Sequence, residues 1–344
     1  MTATSPTPSI SVVLPTYNRS EIVRRTLELL LEQEYPADRY EILVVDNSSD
    51  GTPEMVERLA AGARAELRLL RTASRLPAVK RNEALDAATG ELILYMNDDL
   101  WVVPELLAEH ARAHATHGDP VAVLGHCRQS PKMPQTPFVE YYDPFAYRLI
   151  AGCAGREVPY RFFWTMNISL PVRTMRERNL RFHEDWREIG HEDLELGWRW
   201  TRAGFPIVYH PAATGEHYHP HTLESACRLQ ESIGRGIVDL EQLVDDPRLH
   251  EDYGVFTWHN SPRSIARSLA RMALFNRATV PLAARWLSGR RRNSALSRFM
   301  YWKVLLHYTN KGYRSVPSRS VTPVPTLPPP HPDEDLVAAG EAAP

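Results

Sequence analysis

Residues 92–99 are Leu-Ile-Leu-Tyr-Met-Asn-Asp-Asp, an apolar run that passes directly into an amide and two carboxylates. Consecutive apolar residues predict a buried β-strand, which places Asn97, Asp98 and Asp99 at its carboxyl end. Buried carboxylates are costly unless a cation neutralises them. In open α/β sheets, ligands bind beyond the carboxyl ends of the strands, and oxygen ligands suit Mg²⁺ or Mn²⁺ on a diphosphate. A solvated acidic turn would have the same sequence, so the flanking segments decide between the two interpretations.

Strand and helix patterns alternate over the first hundred residues. The predicted elements are, in order, a strand at 9–14, a helix capped by Ser20, a strand at 41–45, a helix from about Thr52, a strand at 67–70, a helix at 78–88 and a strand at 91–96. Alternation at this spacing predicts βαβ units and a parallel sheet.

The pattern is less regular in the following 140 residues or so. Here the predicted elements are a helix at 104–116, strands at 121–125 and 161–170, a helix at 193–203, a short strand at 207–209 and a helix at 222–243. Residues 128–160 are rich in Pro, Tyr and Phe without a clear period. A loop of this length inside a compact domain is usually a lid or a binding element.

Charge is distributed unevenly along the 344 residues. The net charge of −2 excludes a globally basic, nucleic-acid-like surface, yet residues 253–332 contain no Asp or Glu and thirteen Lys and Arg. Basic amphipathic helices are predicted between 264 and 308. Such helices lie in a membrane interface, or pack on the rest of the chain or on a second subunit. We expect packing, because Trp and Leu at helical spacing are usually core residues.

Cysteine usage and the termini favour a cytoplasmic protein, with a peripheral position at the inner face of a membrane left open. Cys127, Cys153 and Cys227 are widely spaced and form no CxxC pair, which predicts reduced thiols. The N-terminus has no basic and apolar leader, and no run approaches the ~20 apolar residues that span a bilayer. From Val316 onward the Pro-rich and then acidic sequence predicts a disordered tail.

Five segments occur in a characteristic order. They are SVVLPTYNR at 11–19, VVDNSSDGT at 44–52, RNEALDAATGE at 81–91, NDD at 97–99 and GHEDLELGWR at 190–199. Together they resemble glycosyltransferase family 2, and the resemblance covers about residues 9–235. It implies the GT-A fold, a single Rossmann-like and mostly parallel sheet flanked by helices. It also implies transfer from a nucleotide-diphosphate sugar with inversion at the anomeric carbon.

The resemblance divides the chain into regions. Residues 1–8 would be a flexible N-terminus and residues 9–245 a catalytic domain, with a nucleotide-sugar-binding half at 9–127 and an acceptor-binding half at 128–245. A basic helical extension at 246–315 and the tail at 316–344 would follow.

Donor-binding residues follow from the resemblance, position by position. The residues expected to contact the nucleotide sugar are Pro15, Thr16, Tyr17, Asn18, Arg19, Asp46, Arg81, Asn97 and Asp98. An Asp that accepts hydrogen bonds from a base or ribose is sensible chemistry. Asp46 has an alternative role as a helix cap or turn residue, and Arg81, with Lys80, as part of a solvated helix face.

The metal site is implied by the same resemblance. Asp99 matches the last, metal-binding Asp of the family's Asp-x-Asp motif, whereas Asn97 replaces the first and removes one negative charge. A late His often completes such a site, and His217 matches that place better than His219. Imidazole suits Mn²⁺ better than Mg²⁺. Surface-loop histidines are the alternative interpretation.

The catalytic base is expected at Asp193, which matches the second residue of the family's Glu-Asp pair. An inverting displacement needs a base on the acceptor side, and the helix dipole at the predicted first turn would keep this carboxylate ionised. Trp164, Asn167 and Glu192 are the expected acceptor-binding residues, since an aromatic ring can stack on a sugar. An ordinary acidic first turn, and core packing of Trp164, are the alternatives.

The expected function is therefore an inverting glycosyltransferase that uses Mn²⁺ or Mg²⁺. Its partners would be a nucleotide-diphosphate sugar and a glycan, lipid-linked, peptide or small-molecule acceptor, without nucleic acid. Membrane contact or homodimerisation would use residues 264–314. A non-catalytic sugar-nucleotide-binding module would lack the base or the metal Asp, yet Asp99 and Asp193 are both present. A nucleotidyltransferase usually has a Gly-rich loop after the first strand, which residues 15–19 are not, and a Rossmann dehydrogenase would need GxGxxG.

Overall fold

A single eight-stranded sheet organises the chain in the computed structural model, which describes residues 7–142, 147–255, 262–318 and 320–325. The strands are β1 (Ile10–Thr16), β2 (Tyr40–Asp46), β3 (Glu66–Arg71), β4 (Leu92–Met96), β5 (Leu100–Val102), β6 (Ala122–Gln129), β7 (Asn167–Pro171) and β8 (Ile207–His217). Their order across the sheet is β3-β2-β1-β4-β7-β6-β8-β5.

The half of the sheet formed by β3, β2, β1 and β4 is parallel, as predicted. The strands β1, β2 and β4 are buried along nearly their whole length, as expected from their mostly apolar sequences. The register pairs Thr16 with Asp46. The polar residues at the ends of β1 and β2 therefore meet at one edge.

The other half of the sheet is mixed and departs from the prediction. β7 is antiparallel to β4 and β6, β8 is parallel to β6, and β5 is antiparallel to β8. The strand predicted at 161–170 is confined to 167–171, because Tyr160–Phe162 forms a 3₁₀ turn. The strand predicted at 207–209 continues to His217, and β5 was not predicted at all.

Helices cover the sheet and build the C-terminal part. They are α1 (Ser20–Leu31), α2 (Thr52–Ala60), α3 (Pro77–Ala87), α4 (Leu106–His117), α5 (Pro137–Tyr141), α6 (Val172–Glu177), α7 (Glu192–Arg202), α8 (Leu223–Leu243), α9 (Leu249–Asp252), α10 (Pro262–Leu274), α11 (Thr279–Ser288) and α12 (Ala295–Ser315). Ser20 is the first residue of α1 and not its cap, since Arg19 holds the cap position without a side-chain hydrogen bond. Among the described residues, none of these helices is both long and apolar enough to cross a membrane.

The C-terminal helices share a core with the catalytic part of the chain. α12 crosses α8 where a Cβ on Gly234 would lie 2.0 Å from Thr309 O, and one on Gly312 would lie 1.9 Å from Glu231 O. Only glycine fits at both positions, because the two backbones touch. The buried face of α12, including Tyr301 and Val304, joins a cluster with Phe138.

The segment after α12 stays attached to the catalytic domain up to residue 325. Asn179 Nδ2 donates to Pro325 O at 2.7 Å, and His183 Nε2 lies 2.7 Å from Thr322 O. The predicted disordered tail therefore does not begin at 316. Its remainder, 326–344, and most of the predicted flexible N-terminus, 1–6, lie outside the described residues.

Candidate active site

The ends of β1 and β2 form a polar edge on the nucleotide side of the predicted site. Asp46 is fully buried, accepts a hydrogen bond from Ser48 N at 2.9 Å and pairs with Arg71. Lys80 Nζ donates to Thr16 O at 2.5 Å and to Asn47 Oδ1 at 2.7 Å. Asp46 is not the cap of α2, because Gly51 holds that position. Lys80 is buried at this edge and is not part of a solvated helix face.

The loop after β1 presents an aromatic ring at this edge. Asn18 adopts a positive φ of 50° and links the two loops, accepting from Ser49 N at 2.9 Å. Tyr17 is exposed, and the Arg75 guanidinium lies 5.2 Å from its ring centroid. Neither Arg71 nor Arg75 was predicted from the sequence. Their position at the end of the third strand and just beyond it was the available signal.

Asp99 lies at the centre of the predicted metal site. Its Oδ2 is 2.8 Å from His219 Nδ1, and its Oδ1 is 3.2 Å from His217 Nε2. The three side chains offer ligand atoms within 4.8 Å of one another. Both candidate histidines therefore join Asp99. The strand predicted at 207–209 is longer in the structure, and His217 is its last residue. There His217 pairs with Leu100 of β5, next to Asp99.

Arg19 and Asp98 border this cluster. Arg19 donates to Asp98 Oδ1 at 2.6 Å and to Asp99 Oδ2 at 2.7 Å, and Thr16 Oγ1 donates to Asp98 Oδ2 at 2.7 Å. Burial raises the pKa of Asp98 to about 6, with a contribution from the charge of Asp99. Although burial acts in the same direction on Asp99, the neighbouring His217, His219 and Arg19 hold its pKa well below the usual range.

The donor set fits a divalent cation. Asp99 Oδ1 is buried and lies 3.2 Å from His217 Nε2 without a well-directed hydrogen bond, so this oxygen can accept a further partner. Two imidazoles and one carboxylate form a mixed nitrogen and oxygen donor set of a kind that divalent transition-metal ions accept. Asn97 stands beside them without a negative charge.

A second acidic pair begins α7. Arg81 donates to Glu192 Oε1 at 2.9 Å, while Gly190 N and His191 N donate to Oε2 at 2.8 and 3.0 Å. Burial alone would raise the pKa of Glu192, but Arg81 and these backbone groups lower it. Glu192, predicted to bind the acceptor, is thus committed to Arg81 and the backbone, and Arg81 is not on a solvated face.

The pKa of Asp193 is shifted in the opposite direction to that of Glu192. Its Oδ1 accepts a hydrogen bond from Leu194 N at 2.8 Å. Burial, followed by the negative charge of Glu192, raises its pKa to about 7. The sequence predicted that the helix dipole would keep this carboxylate ionised. A pKa of about 7 instead leaves it only partly ionised near neutral pH, because burial and the charge of Glu192 both favour the protonated form.

One cavity of about 550 Å³ connects the two acidic pairs. Arg19, Asp98 and Asp99 line it together with Glu192 and Asp193. The further predicted site residues that line this cavity are Pro15, Arg81, Asn97, Trp164 and His219. The arrangement is suited to holding a charged leaving group and a proton acceptor in the same cavity.

Asn167 does not reach this cavity, contrary to the predicted acceptor role. Its side chain is fully buried, with Nδ2 donating to Ala213 O at 3.0 Å and Oδ1 lying 2.9 Å from His110 Nε2. It fixes β7 to its neighbours and has no free group for a ligand. Trp164 lines the cavity from the turn before β7, where its ring also packs edge-on against Tyr147.

Residues 11–162 match the family described as Glycosyl transferase family 2. Over this segment the chain is similar to glycosyltransferase family 2. The matched segment contains the nucleotide edge and Asp99 but ends before Asp193. Among relatives, validoxylamine A glucosyltransferase of Streptomyces hygroscopicus subsp. jinggangensis is 29% identical over 248 residues, which cover 65% of this chain and 58% of that protein. The chain therefore spans less than two thirds of that relative's length.

A shorter match and a solved structure agree with this assignment. The poly(ribitol-phosphate) β-N-acetylglucosaminyltransferase of Staphylococcus aureus is 32% identical over 115 residues, 33% of this chain and 20% of that protein. A mannosyltransferase from Pyrobaculum calidifontis, solved with GDP-mannose and Mn²⁺, superposes with a TM-score of 0.59 at 20% identity, covering 89% of this chain and 86% of that one. The fold is accordingly the GT-A fold of glycosyltransferases.

Proposed function

We propose that this chain is a metal-dependent, inverting glycosyltransferase that acts on a nucleotide-diphosphate sugar. The observation that carries the proposal is one cavity lined by both the Asp99 cluster and Asp193. Inversion requires the leaving group and the incoming nucleophile on opposite faces of the sugar. A cavity that contains a candidate cation site and a candidate proton acceptor would supply a partner for each of them.

Asp99, His217 and His219 would hold Mn²⁺ or Mg²⁺. The bound ion would neutralise the diphosphate as it leaves, which is the Lewis-acid contribution of such ions. The Mn²⁺ and GDP-mannose in the Pyrobaculum structure support both the ion and the donor class. Arg19 is hydrogen-bonded to Asp98 and Asp99. When the donor binds, the Arg19 guanidinium would also pair with the phosphates.

The nucleotide would lie along the edge formed by β1 and β2. Tyr17 has an exposed ring beside this edge. Asp46 is the carboxylate that the family resemblance assigns to the base or ribose. Because Asp46 is paired with Arg71, it would present a fixed oxygen to the base or ribose. The donor proposed here is a nucleotide-diphosphate hexose.

Asp193 would act as the general base. A pKa of about 7 lies near the operating pH, where a base combines sufficient ionisation with a useful affinity for the proton. Asp193 would take the proton from the acceptor hydroxyl as that oxygen attacks the anomeric carbon. Arg81 would keep Glu192 ionised beside it, and the charge of Glu192 maintains the raised pKa of Asp193.

The acceptor would enter on the side of Trp164, which lines the cavity with Asp193. It would be a glycan, a lipid-linked, peptide or small-molecule hydroxyl, or another nucleophile. A cytoplasmic location is supported by three free cysteines. The helical extension is the part of the chain that we propose to contact a further partner, either a membrane surface or a second copy.

The proposal is tested by the dependence of nucleotide binding on the cation. Calorimetry with UDP and GDP should give binding in the presence of Mn²⁺ that is largely lost in excess EDTA and in Asp99→Ala. A donor-sugar panel with Mn²⁺ should then identify the sugar by release of the nucleoside diphosphate. Asp86→Asn, which removes a carboxylate paired with Arg181 on the surface, is the matched control and should bind normally. Full affinity in EDTA would contradict the proposal.

A further inference from the structure

The outer surface of α11 and α12 combines large apolar side chains with basic ones. We define the apolar–basic face by its six residues, Leu282, Trp286, Leu296, Phe299, Trp302 and Lys303. Of the eleven exposed large apolar side chains in the described part of the chain, seven lie between residues 269 and 302. Most of the exposed apolar surface is therefore concentrated in the extension, which is unusual for a surface that faces only water.

The helices have two apolar sides, and the described residues of the chain cover only one of them. In α12, Tyr301, Val304 and Leu305 are buried, whereas Phe299 and Trp302 are 45% and 51% exposed. The rings of these two residues lie one turn apart, with centroids 6.1 Å from each other. In α11, Leu287 is buried while Leu282 and Trp286 project outward. The sequence-based expectation of packing accounts for the inner side alone.

Positive charges accompany the exposed rings. Lys303 Nζ lies 3.4 Å from the Trp302 ring centroid, and the Arg290 guanidinium lies 4.7 Å from that of Trp286. No Asp or Glu occurs in the sequence between Asp252 and Asp333. Acidic groups from other elements approach these helices at Arg298 and Lys311. Glu140 pairs with Arg298 at 2.7 Å, and Glu231 pairs with Lys311 at 2.7 Å.

We infer that the apolar–basic face binds the surface of an anionic phospholipid bilayer. Trp with neighbouring Lys and Arg is the combination that suits the boundary between headgroups and acyl chains. The basic residues match the negative surface potential of such a membrane. A symmetric pair of copies would instead bring Arg290 and Lys303 towards the same cations of the partner, because a two-fold interface places one patch against itself.

Binding in this way would set the orientation of the catalytic cavity. α12 packs directly on α8 through Gly234 and Gly312, and α8 contributes Leu229, Gln230 and Ile233 to the cavity wall. One helix thus separates the lipid-facing side from the cavity. The inference about the membrane does not depend on the proposed transfer reaction, since it concerns a different surface.

Vesicle co-sedimentation tests the inference on the full chain. Vesicles of phosphatidylcholine with about one third phosphatidylglycerol should retain the protein at low salt, and pure phosphatidylcholine should retain much less. Raising the salt to about 0.5 M should release it, because the Debye length falls to a few ångströms. The double variant Phe299→Ser/Trp302→Ser should reduce partitioning by about tenfold or more, the worth of one buried aromatic side chain.

Matched control variants distinguish vesicle binding through this face from nonspecific hydrophobic binding. Leu282 belongs to the apolar–basic face and is 69% exposed. Leu149 does not belong to it and is 67% exposed. Leu282→Ser should weaken vesicle binding, whereas Leu149→Ser should not. Circular dichroism should show that each variant is folded. Equal retention of the double variant and the unmodified protein, or light scattering that shows a dimer dispersed by Phe299→Ser/Trp302→Ser, would overturn the inference.

Discussion

Two acid pairs, each of adjacent residues, line the cavity, and they differ in how their charge is neutralised. Both are built alike, with one carboxylate ionised by its partners and one whose pKa burial raises, Asp98 to about 6 and Asp193 to about 7. At the β4 end, Arg19 and two histidines surround Asp99. At the start of α7, a single cation, Arg81, serves the pair.

The difference separates two chemical tasks. The Asp98–Asp99 end concentrates exchangeable positive partners, so a metal ion can replace or join them without leaving a bare charge. In the described part of the chain, the Glu192–Asp193 pair has one fixed cation, Arg81, which is hydrogen-bonded to Glu192, and the pKa of Asp193 is raised to about 7. On the proposed function, environment and not residue type would thus divide cation binding from proton transfer.

The largest effect is expected from Asp193→Asn on glycosyl transfer. The amide keeps the shape of the side chain but cannot take a proton, so the transfer rate should fall by ~10² to 10⁴ while donor affinity changes only a few fold. Single-turnover transfer and donor calorimetry measure the two quantities. Near-normal turnover by a folded variant would assign the base to another residue, and the contrast between the two acid pairs would fail.

The next prediction compares how much Arg81 and Arg19, the arginines beside the two acid pairs, contribute to the free energy of unfolding. Arg81 and Glu192 are each 6% exposed at the side chain, so Arg81→Met would leave an unpaired buried carboxylate and should cost about 3–5 kcal/mol. Arg19 is 27% exposed and shares Asp99 with two histidines. Arg19→Met should therefore cost clearly less.

Urea unfolding at pH 7 measures both of these variants. The double variant Arg81→Met/Glu192→Leu should recover most of the loss, because it removes the buried charge together with its partner. Equal losses for Arg81→Met and Arg19→Met would remove the distinction between one fixed cation and several exchangeable ones.

The smallest effect is a pH dependence of stability. Because its pKa is raised in the folded state, Asp193 binds its proton more tightly there than in the unfolded chain, so stability falls as pH rises from about 4 to about 7. Asp193→Asn should thus be more stable than the unmodified protein at pH 8 and equal to it near pH 4. Melting temperatures at the two pH values decide this. A constant difference across the range would mean that Asp193 is ionised throughout.

Much of this arrangement was predictable because parallel strands bring their carboxyl ends to one edge. Asp46 ends β2 and Asp99 follows shortly after β4, so the sequence predicted that both lie at the carboxyl edge of the parallel strands. Asp193 was predicted from its position in a family motif. The raised pKa of Asp193 was not, because it depends on burial by residues distant in sequence.

The mixed half of the sheet was harder to predict for a local reason. β8 contains Pro211 and Gly215, which interrupt the usual strand pattern, and its register with β6 shifts at Gly125 and His126. Asn167 faces the core because β7 is inserted antiparallel between β4 and β6, which no local pattern indicates. Likewise, helical periodicity identified apolar residues in α11 and α12 but not which side would be covered.

The close packing of α8 on α12 at Gly234 and Gly312 limits how this chain can be recombined. Since the two backbones touch there, the C-terminal helices cannot be exchanged at residue 245 for those of a relative. A replacement would need its own α8, and with it a new wall for the cavity through Leu229 and Ile233. The cavity wall formed by α8 and the C-terminal extension would thus have to be exchanged as one unit.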